Sequence, residues 1–471
     1  MKSLRICLVL VLFLTSAFSA QAAGKVFFAA PNGLPTNNGS QSSPWDLQTA
    51  LTHRPNIVTA GDTIYLRGGV YKGIFISTLA GAPGSPITVR SLPGEWAVID
   101  SNQTLNLAAA IGTGTGTVTF SGNVNLPDPA VVMIDSEQIQ LTKRVGNSFT
   151  INARGWSGTA PAPHAAGSSA RVVGEILKIN GSDVVIGNIE VTNTQVERVL
   201  PTSGSNPIHF NRRYTGISFF APRSKVINTV VHETGQGIGF WAAAVDSEIY
   251  GNILYNNGEE ATDRGHGHGI YTQNTTGRKY IAENITFGNF GSFGMQVYGS
   301  STATLRGYSI SGNINFLNQY LVGGNAPADD VILDSNFLYG TSFRMGYGNP
   351  NNGSITLTNN YAYAYTPIEI NSWQKVVMTG NRFYQIGGNT GADAVITLPP
   401  NGQSVLSQYQ INNNRYIYGR TFQDRPFYIK TPTSTTYSFA QWQGMGFDKT
   451  GTWSGATAAS QALVKPTGVD I

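Results

Sequence analysis

The sequence predicts an all-β solenoid, a stack of short parallel coils with three strands each, and three observations predict it. A motif of Asn flanked by small or apolar residues recurs as Gly187-Asn188-Ile189, Ile227-Asn228-Thr229, Gly251-Asn252-Ile253, Glu283-Asn284-Ile285, Gly312-Asn313-Ile314, Ser335-Asn336-Phe337, Asn359-Asn360-Tyr361 and Gly380-Asn381-Arg382. The steps between these asparagines are 40, 24, 32, 29, 23, 24 and 21 residues. A period in the low twenties with insertions is the mark of a stacked repeat. Between the asparagines lie short β-branched or aromatic runs, such as Lys225 to Val231 and Ser247 to Tyr255, with no helical periodicity of comparable length. Finally, 55 glycines in 471 residues, about twice the usual share, supply many turns and argue against an all-α bundle. Asn suits such turns because it tolerates a left-handed backbone and its amide can bond the equivalent Asn one coil away. This ladder is expected to be structural.

Taken in order, residues 1–22 read as a secretory signal, with Lys2 and Arg5 as the basic end, Ile6 to Phe18 as the apolar stretch and Ala20-Gln21-Ala22 as the cleavage site. The expected location is therefore secreted or periplasmic. The only cysteine, Cys7, falls inside this segment, so the mature chain is expected to hold no disulfide and no Cys-based metal site. No later stretch is apolar for long enough to span a bilayer. The 30 Lys and Arg against 26 Asp and Glu give +4, and loss of Lys2 and Arg5 leaves 28 against 26. Global steering towards nucleic acid is therefore not expected, and the expected state is a monomer.

Residues 23–100 read as an N-terminal cap and first coils: Ser43-Pro44-Trp45-Asp46-Leu47 leads a short amphipathic stretch, and Gly61 to Tyr71 reads turn, strand, turn, strand. A short helix there would cover the open end of the stack. Residues 101–171 break the rhythm, and Ile134-Asp135-Ser136-Glu137-Gln138-Ile139, Thr150 to Gly155 and His164 to Gly167 suggest a small inserted β module, used for attachment, or else a long loop that packs on the coils. Residues 172–445 form the body. From Arg415 the pattern departs from the coil, Phe439-Ala440-Gln441-Trp442-Gln443 reads as a short amphipathic helix before Gly446-Phe447-Asp448 that docks on the side or end of the stack, and 446–471 read as the tail, loose from residue 450.

Phe27-Phe28-Ala29-Ala30-Pro31-Asn32-Gly33, Ser43-Pro44, Gly61-Asp62-Thr63-Ile64-Tyr65 and Gly84-Ser85-Pro86-Ile87-Thr88-Val89-Arg90 resemble the amino end of secreted right-handed parallel β-helix proteins of the pectate lyase-like superfamily. The resemblance covers about residues 25–100 and 172–445. It implies a right-handed parallel β-helix and an activity among those of the superfamily, which holds pectate and alginate lyase-like enzymes, uronan epimerases and glycosidases. Fold does not choose among these.

Aligning the strands that follow the longest loops gives Leu177-Lys178-Ile179-Asn180, Ile217-Ser218-Phe219-Phe220, Ile238-Gly239-Phe240-Trp241, Ile270-Tyr271-Thr272-Gln273, Met295-Gln296-Val297-Tyr298, Leu321-Val322-Gly323-Gly324, Met345-Gly346-Tyr347-Gly348 and Ile368-Glu369-Ile370-Asn371. The first and third columns should face inward and the others solvent. Phe220, Trp241, Tyr271 and Tyr298 would then form an exposed aromatic patch beside the amides of Gln273 and Gln296 and the carboxylate of Glu369. Flat rings beside hydrogen-bonding groups suit sugars, so an extended polysaccharide along the axis is the expected ligand.

Two long insertions enter this face, 193–216 with Arg212 and Arg213, and 256–269 with Glu259, Glu260, Asp263, Arg264, His266 and His268. β-Elimination on a uronate needs a cation on the carboxylate and a base for the proton beside it. Arg212, Arg213 or Arg264 can serve as the first, and His266 or His268 as the second with Lys178 in reserve. Tyr271 can be the acid for the leaving oxygen. Glu259, Glu260 and Asp263 offer oxygens for Ca²⁺, with a solvated acidic loop as the plainer reading. Hydrolysis would need two facing carboxylates. The only adjacent aspartates, Asp329-Asp330, read as a turn. Neither the paired aspartates that hold Ca²⁺ in pectate lyases nor the Asp-Pro-His-Asp signature of mannuronan epimerases is present. The leading reading is a lyase of acidic glycans. The alternatives are a non-catalytic glycan-binding surface protein, a glycoside hydrolase or a uronan epimerase.

Overall fold

The computed structural model describes residues 24–52, 57–122, 124–195, 198–199, 215–291, 293–300, 303, 305–347, 351–386, 391–400, 402–419, 427–430 and 434–455. The proposed signal, Arg212, Arg213 and the last part of the expected tail lie outside them.

Alternating apolar residues fold the described chain into three sheets of twelve strands each. One turn of the coil shows the plan: Lys279–Ala282 joins the first sheet, Ile285–Phe287 the third and Phe293–Gly299 the second, before Leu305–Ser311 returns to the first. Neighbouring coils pair in parallel, and the second sheet ends on one antiparallel pair, Phe427–Lys430 with Ser434–Tyr437. The protein is thus a parallel β-helix. Inward side chains stack coil on coil, as in Phe219 over Phe240 with ring centroids 4.3 Å apart, and one continuous apolar core runs the length of the stack. The helix Leu47–Thr52 buries Leu47, Ala50 and Leu51 at the amino end. Among the described residues no helix is long and apolar enough to cross a membrane.

The asparagines divide into two neighbouring roles. The left-handed turn is taken by Asn228, Gly251, Glu283, Gly312, Ser335, Asn359, Gly380 and Asn413, all at positive φ between 51° and 71°. The residue after each turns inward. Asn252, Asn284, Asn313, Asn336, Asn360, Asn381 and Asn414 each donate backbone N–H and Nδ2 to the Oδ1 of the next coil at 2.8–3.1 Å, ending on Asp448. Asn188 and Asn228 therefore stand one place before the ladder, at the strained turn. Thr229 occupies the ladder position, and its N–H bonds Asn252 Oδ1 at 2.9 Å. A second, shorter polar ladder joins Thr234, Asn257, Asn289 and Asn318 in the connections from the third sheet to the second.

Replacing Asn313 by Ala removes the acceptor of two buried donors on Asn284 and the Nδ2 donor to Asn336 Oδ1, while the backbone N–H to Asn336 stays. We expect a loss of about 2 kcal/mol, seen as a lower urea midpoint.

The described part of the carboxyl end, as far as residue 455, is built into the stack. Arg415–Tyr418 and Phe427–Lys430 extend the third and second sheets, and Thr452–Gly455 pairs with Arg415–Tyr418. Asp448 is fully buried. Its Oδ1 closes the ladder, and its Oδ2 accepts from Tyr416 Oη at 2.9 Å and Trp442 Nε1 at 3.1 Å. A carboxylate suits the last rung because it accepts without carrying donors that would need a further coil. Asp329 and Asp330 also differ from expectation. They lie in the strand Ala328–Asp334 of the first sheet, where Asp329 accepts from Ser354 and Asp330 pairs with Arg278.

Residues 104–173 contribute the six strands of a closed barrel around their own core, including Leu105, Phe120, Val132, Ile139 and Phe149. At one end Glu137 is buried and paired to Arg154 through two contacts of 2.7 Å. It also accepts from the amides of Gly155 and Ala162 and meets His164 Nε2 at 2.9 Å. Burial works to raise its pKa, but Arg154, the two amides and His164 outweigh it and hold the carboxyl at about 2. Since this value lies below that of the unfolded chain, the stability it contributes is present above pH 4.5 and is lost as pH falls towards 2. The thermal midpoint should drop across that interval, and Glu137→Gln should flatten the drop.

Candidate functional site

The outer face of the second sheet carries a cleft of 1220 Å³ that runs from Gln236 and Trp241 to Thr366 and Glu369. Its floor is a column of residues in register, Tyr271, Gln296, Leu321, Arg344 and Glu369. The alignment by sequence placed Val322 and Gly346 in this column. The ladder contains an irregularity between Phe293 and Met295, and Tyr320 and Phe343 take the inward places, which moves Leu321 and Arg344 outward. Both rings are buried, an inward role that a match on aliphatic residues alone does not reveal.

At one end the wall is a two-stranded hairpin in which Glu259 pairs with His266 and Glu260 with Gly265. Gly267, at φ 89°, then turns directly into the strand His268–Thr272. A Cβ there would lie 2.1 Å from Gly235 O, so only glycine fits. This turn brings Arg264, His266, His268 and Tyr271 to one end of the cleft. His266 is buried, and its Nε2 lies 3.1 Å from Asp263 Oδ1. His268 stacks on Tyr271 with centroids 5.8 Å apart. Burial, reinforced by Arg264 and His266, pushes its pKa down to about 3, so the ring is neutral at physiological pH; its Nδ1 is buried without a hydrogen-bond partner. Burial also raises the Tyr271 phenol, which stays protonated and donates to Tyr298 O at 3.4 Å. Arg264 is exposed, 3.7 Å from Asp263.

The aromatic row is half-buried rather than open. Trp241 lies between Phe220, 5.9 Å away and stacked, and Tyr271, 5.6 Å away and tilted. Its Nε1 is buried without a hydrogen-bond partner. Trp241, Tyr271 and Tyr298 line the cleft, whereas Phe220 does not. Phe220 instead carries Lys178 Nζ 4.7 Å from its ring centre, and Lys178 also lies 3.7 Å from Glu175. Lys178 is therefore outside the cleft as a reserve base. Gln273 is outside as well, its amide donating to Tyr298 O at 3.2 Å, while Gln296 and Glu369 line the floor.

The three acidic residues of the hairpin are not gathered for a cation. Glu259 is buried, Glu260 is exposed on the opposite face of the strand and Asp263 turns to His266. Among the described residues no group of three or more such ligands meets.

Arg344 and Tyr347 were missed as cleft residues by the sequence alignment. The guanidinium lies 4.9 Å over the Tyr347 ring and 4.0 Å from Glu369. Phe343-Arg344-Met345 alternates inward, outward, inward, and that alternation was the available signal.

No family model matches the sequence. An uncharacterized protein, YwoF, of Bacillus subtilis (strain 168) is 29% identical over 86 residues, a match that spans 18% of this chain and 18% of that protein. Among solved structures, a rhamnogalacturonan lyase superposes with a TM-score of 0.53 at 13% identity, over 83% of this chain and 87% of that one. A mannuronic acid specific polysaccharide family 6 lyase from human gut microbiota gives 0.45 at 12% identity, over 84% and 74%. A lacto-N-biosidase from Eubacterium ramulus gives 0.46 at 12% identity, over 84% and 64%. The likeness to the first of these makes the chain a member of the parallel β-helix fold class and says nothing further of its chemistry.

Proposed function

We propose that the protein is an exported, polysaccharide-active β-helix protein that cleaves an acidic, uronate-containing glycan by β-elimination. The observation that carries this reading is the composition of the cleft. Two arginines, two histidines and aromatic rings line it, with Glu369 as its one carboxylate among the described residues. Hydrolysis by the usual route needs two carboxyl groups facing each other, so this lining favours elimination. The likeness in fold to a rhamnogalacturonan lyase supports a glycan as substrate, and the choice of chemistry rests on the side chains.

In this reading Trp241 and Tyr298 hold the sugar rings, and Arg264 pairs with the carboxylate of the unit to be cleaved. That pairing makes the adjacent C–H more acidic. His266, oriented by Asp263, takes the proton; the C–H electron pair forms the new C=C bond, and the C–O bond to the next sugar breaks. Tyr271, kept protonated by burial, returns a proton to the leaving oxygen. Neutral His268 hydrogen-bonds to substrate in the same end of the cleft.

The test is to incubate the mature protein with uronans and neutral glycans while following ultraviolet absorbance of unsaturated ends beside reducing ends. Both rising together supports elimination. Reducing ends alone would mean hydrolysis, and neither signal would leave a glycan-binding surface protein as the reading.

A further inference from the structure

We propose that the end of the cleft far from the histidines is a subsite for a neutral sugar, so that the preferred glycan mixes uronate with uncharged units. This rests on the elimination reading of the same cleft. Arg344 and Glu369 are partners on adjacent coils, with Nε and Oε2 4.0 Å apart. That gap is too long for a hydrogen bond, and the Nε is buried without a hydrogen-bond partner. A sugar hydroxyl between them would accept from Nε and donate to the carboxylate, each at normal distance. Tyr347, 44% exposed and lying under the guanidinium, offers its ring to the sugar's apolar face.

The charges decide which sugar. Arg344 and Glu369 cancel, and the other lining residues of this end, including Thr341, Ser342, Tyr365 and Thr366, add only neutral groups. A uronate placed here would gain Arg344 only while facing Glu369, a like charge that disfavours it. At the opposite end Arg264 lies 3.7 Å from Asp263, but Asp263 does not line the cleft, so the charge presented to a ligand there is that of Arg264. From Tyr271 to Arg344 is three ladder steps, about 14 Å, so different rings of one glycan chain lie over the two ends.

The experiment compares binding by calorimetry of four hexasaccharides: alternating galacturonate and rhamnose, alternating glucuronate and N-acetylglucosamine, pure galacturonate and pure mannuronate. At least one alternating hexasaccharide should bind about tenfold or more tightly than either pure oligouronate. Arg344→Met and the conservative Glu369→Gln should each reduce that preference by about tenfold. Tighter binding of the pure oligouronates, or a preference that survives both substitutions, overturns the subsite. The preference without unsaturated ends on any probe would sink the elimination reading and support the subsite. Elimination without the preference would sink the subsite alone, and binding of none would overturn both.

Discussion

Replacing His266 by Ala is expected to lower kcat on the responding glycan by about 10² to 10⁴, the usual contribution of a positioned general base. The residue sits on the hairpin strand Gly265–His266, is nearly excluded from solvent and is oriented by Asp263. A carboxylate on one ring nitrogen fixes the imidazole and stabilises the cation formed when the other takes a proton. His268 is the weaker candidate, because burial and the charge of Arg264 oppose protonation. Initial rates of unsaturated-end formation, with bound oligosaccharide measured separately, check the expectation. A loss of rate with affinity retained assigns His266 to the chemistry. An unchanged rate removes it and returns the base to His268.

Trp241→Ala is expected to weaken glycan binding by about thirtyfold to a thousandfold, the range of an aromatic anchor in a desolvated site. Trp241 packs between Phe220 and Tyr271 and lines the cleft, and its indole N–H is buried without a hydrogen-bond partner. A bound hydroxyl would satisfy that donor, and truncation loses both the ring contact and the bond. Affinity measured on the same oligosaccharides, beside the melting temperature, separates the roles. Weakened binding with a small melting shift marks a ligand contact, and a large melting shift with little change in affinity marks core packing.

The stacked architecture was legible because each coil repeats its own instructions. An αL-tolerant residue, an inward amide and a β-branched run recur every 21 to 40 positions, and local chemistry alone shows them. Even there, which of two adjacent asparagines turns the chain and which joins the ladder was settled by packing, as at Asn228 and Thr229. At the end of the stack the packing again decides the role of a single residue. Asp448 appears in sequence as a polar residue near a Gly- and Thr-rich end, and only the fold brings it to the open rung left by Asn414 and to Tyr416 and Trp442.

The candidate site was legible in its chemistry and much less in its geometry. The hairpin histidines, Arg264 and the aromatic row can be picked out from residue type and clustering, since unusual groups beside long insertions stand apart from a repeat. Their distances cannot, because coils close in space are separated by insertions of variable length. The column through Leu321 and Arg344 shows the cause: one irregularity at Phe293–Met295 shifts the register, and a one-residue shift exchanges the two faces of a strand. Sequence pattern therefore determined the stack, its turns and the types of group available to its outer face. The tertiary structure alone decided which side chains share the cleft, because inside and outside on a strand depend on a register that neighbouring coils, and not neighbouring residues, set.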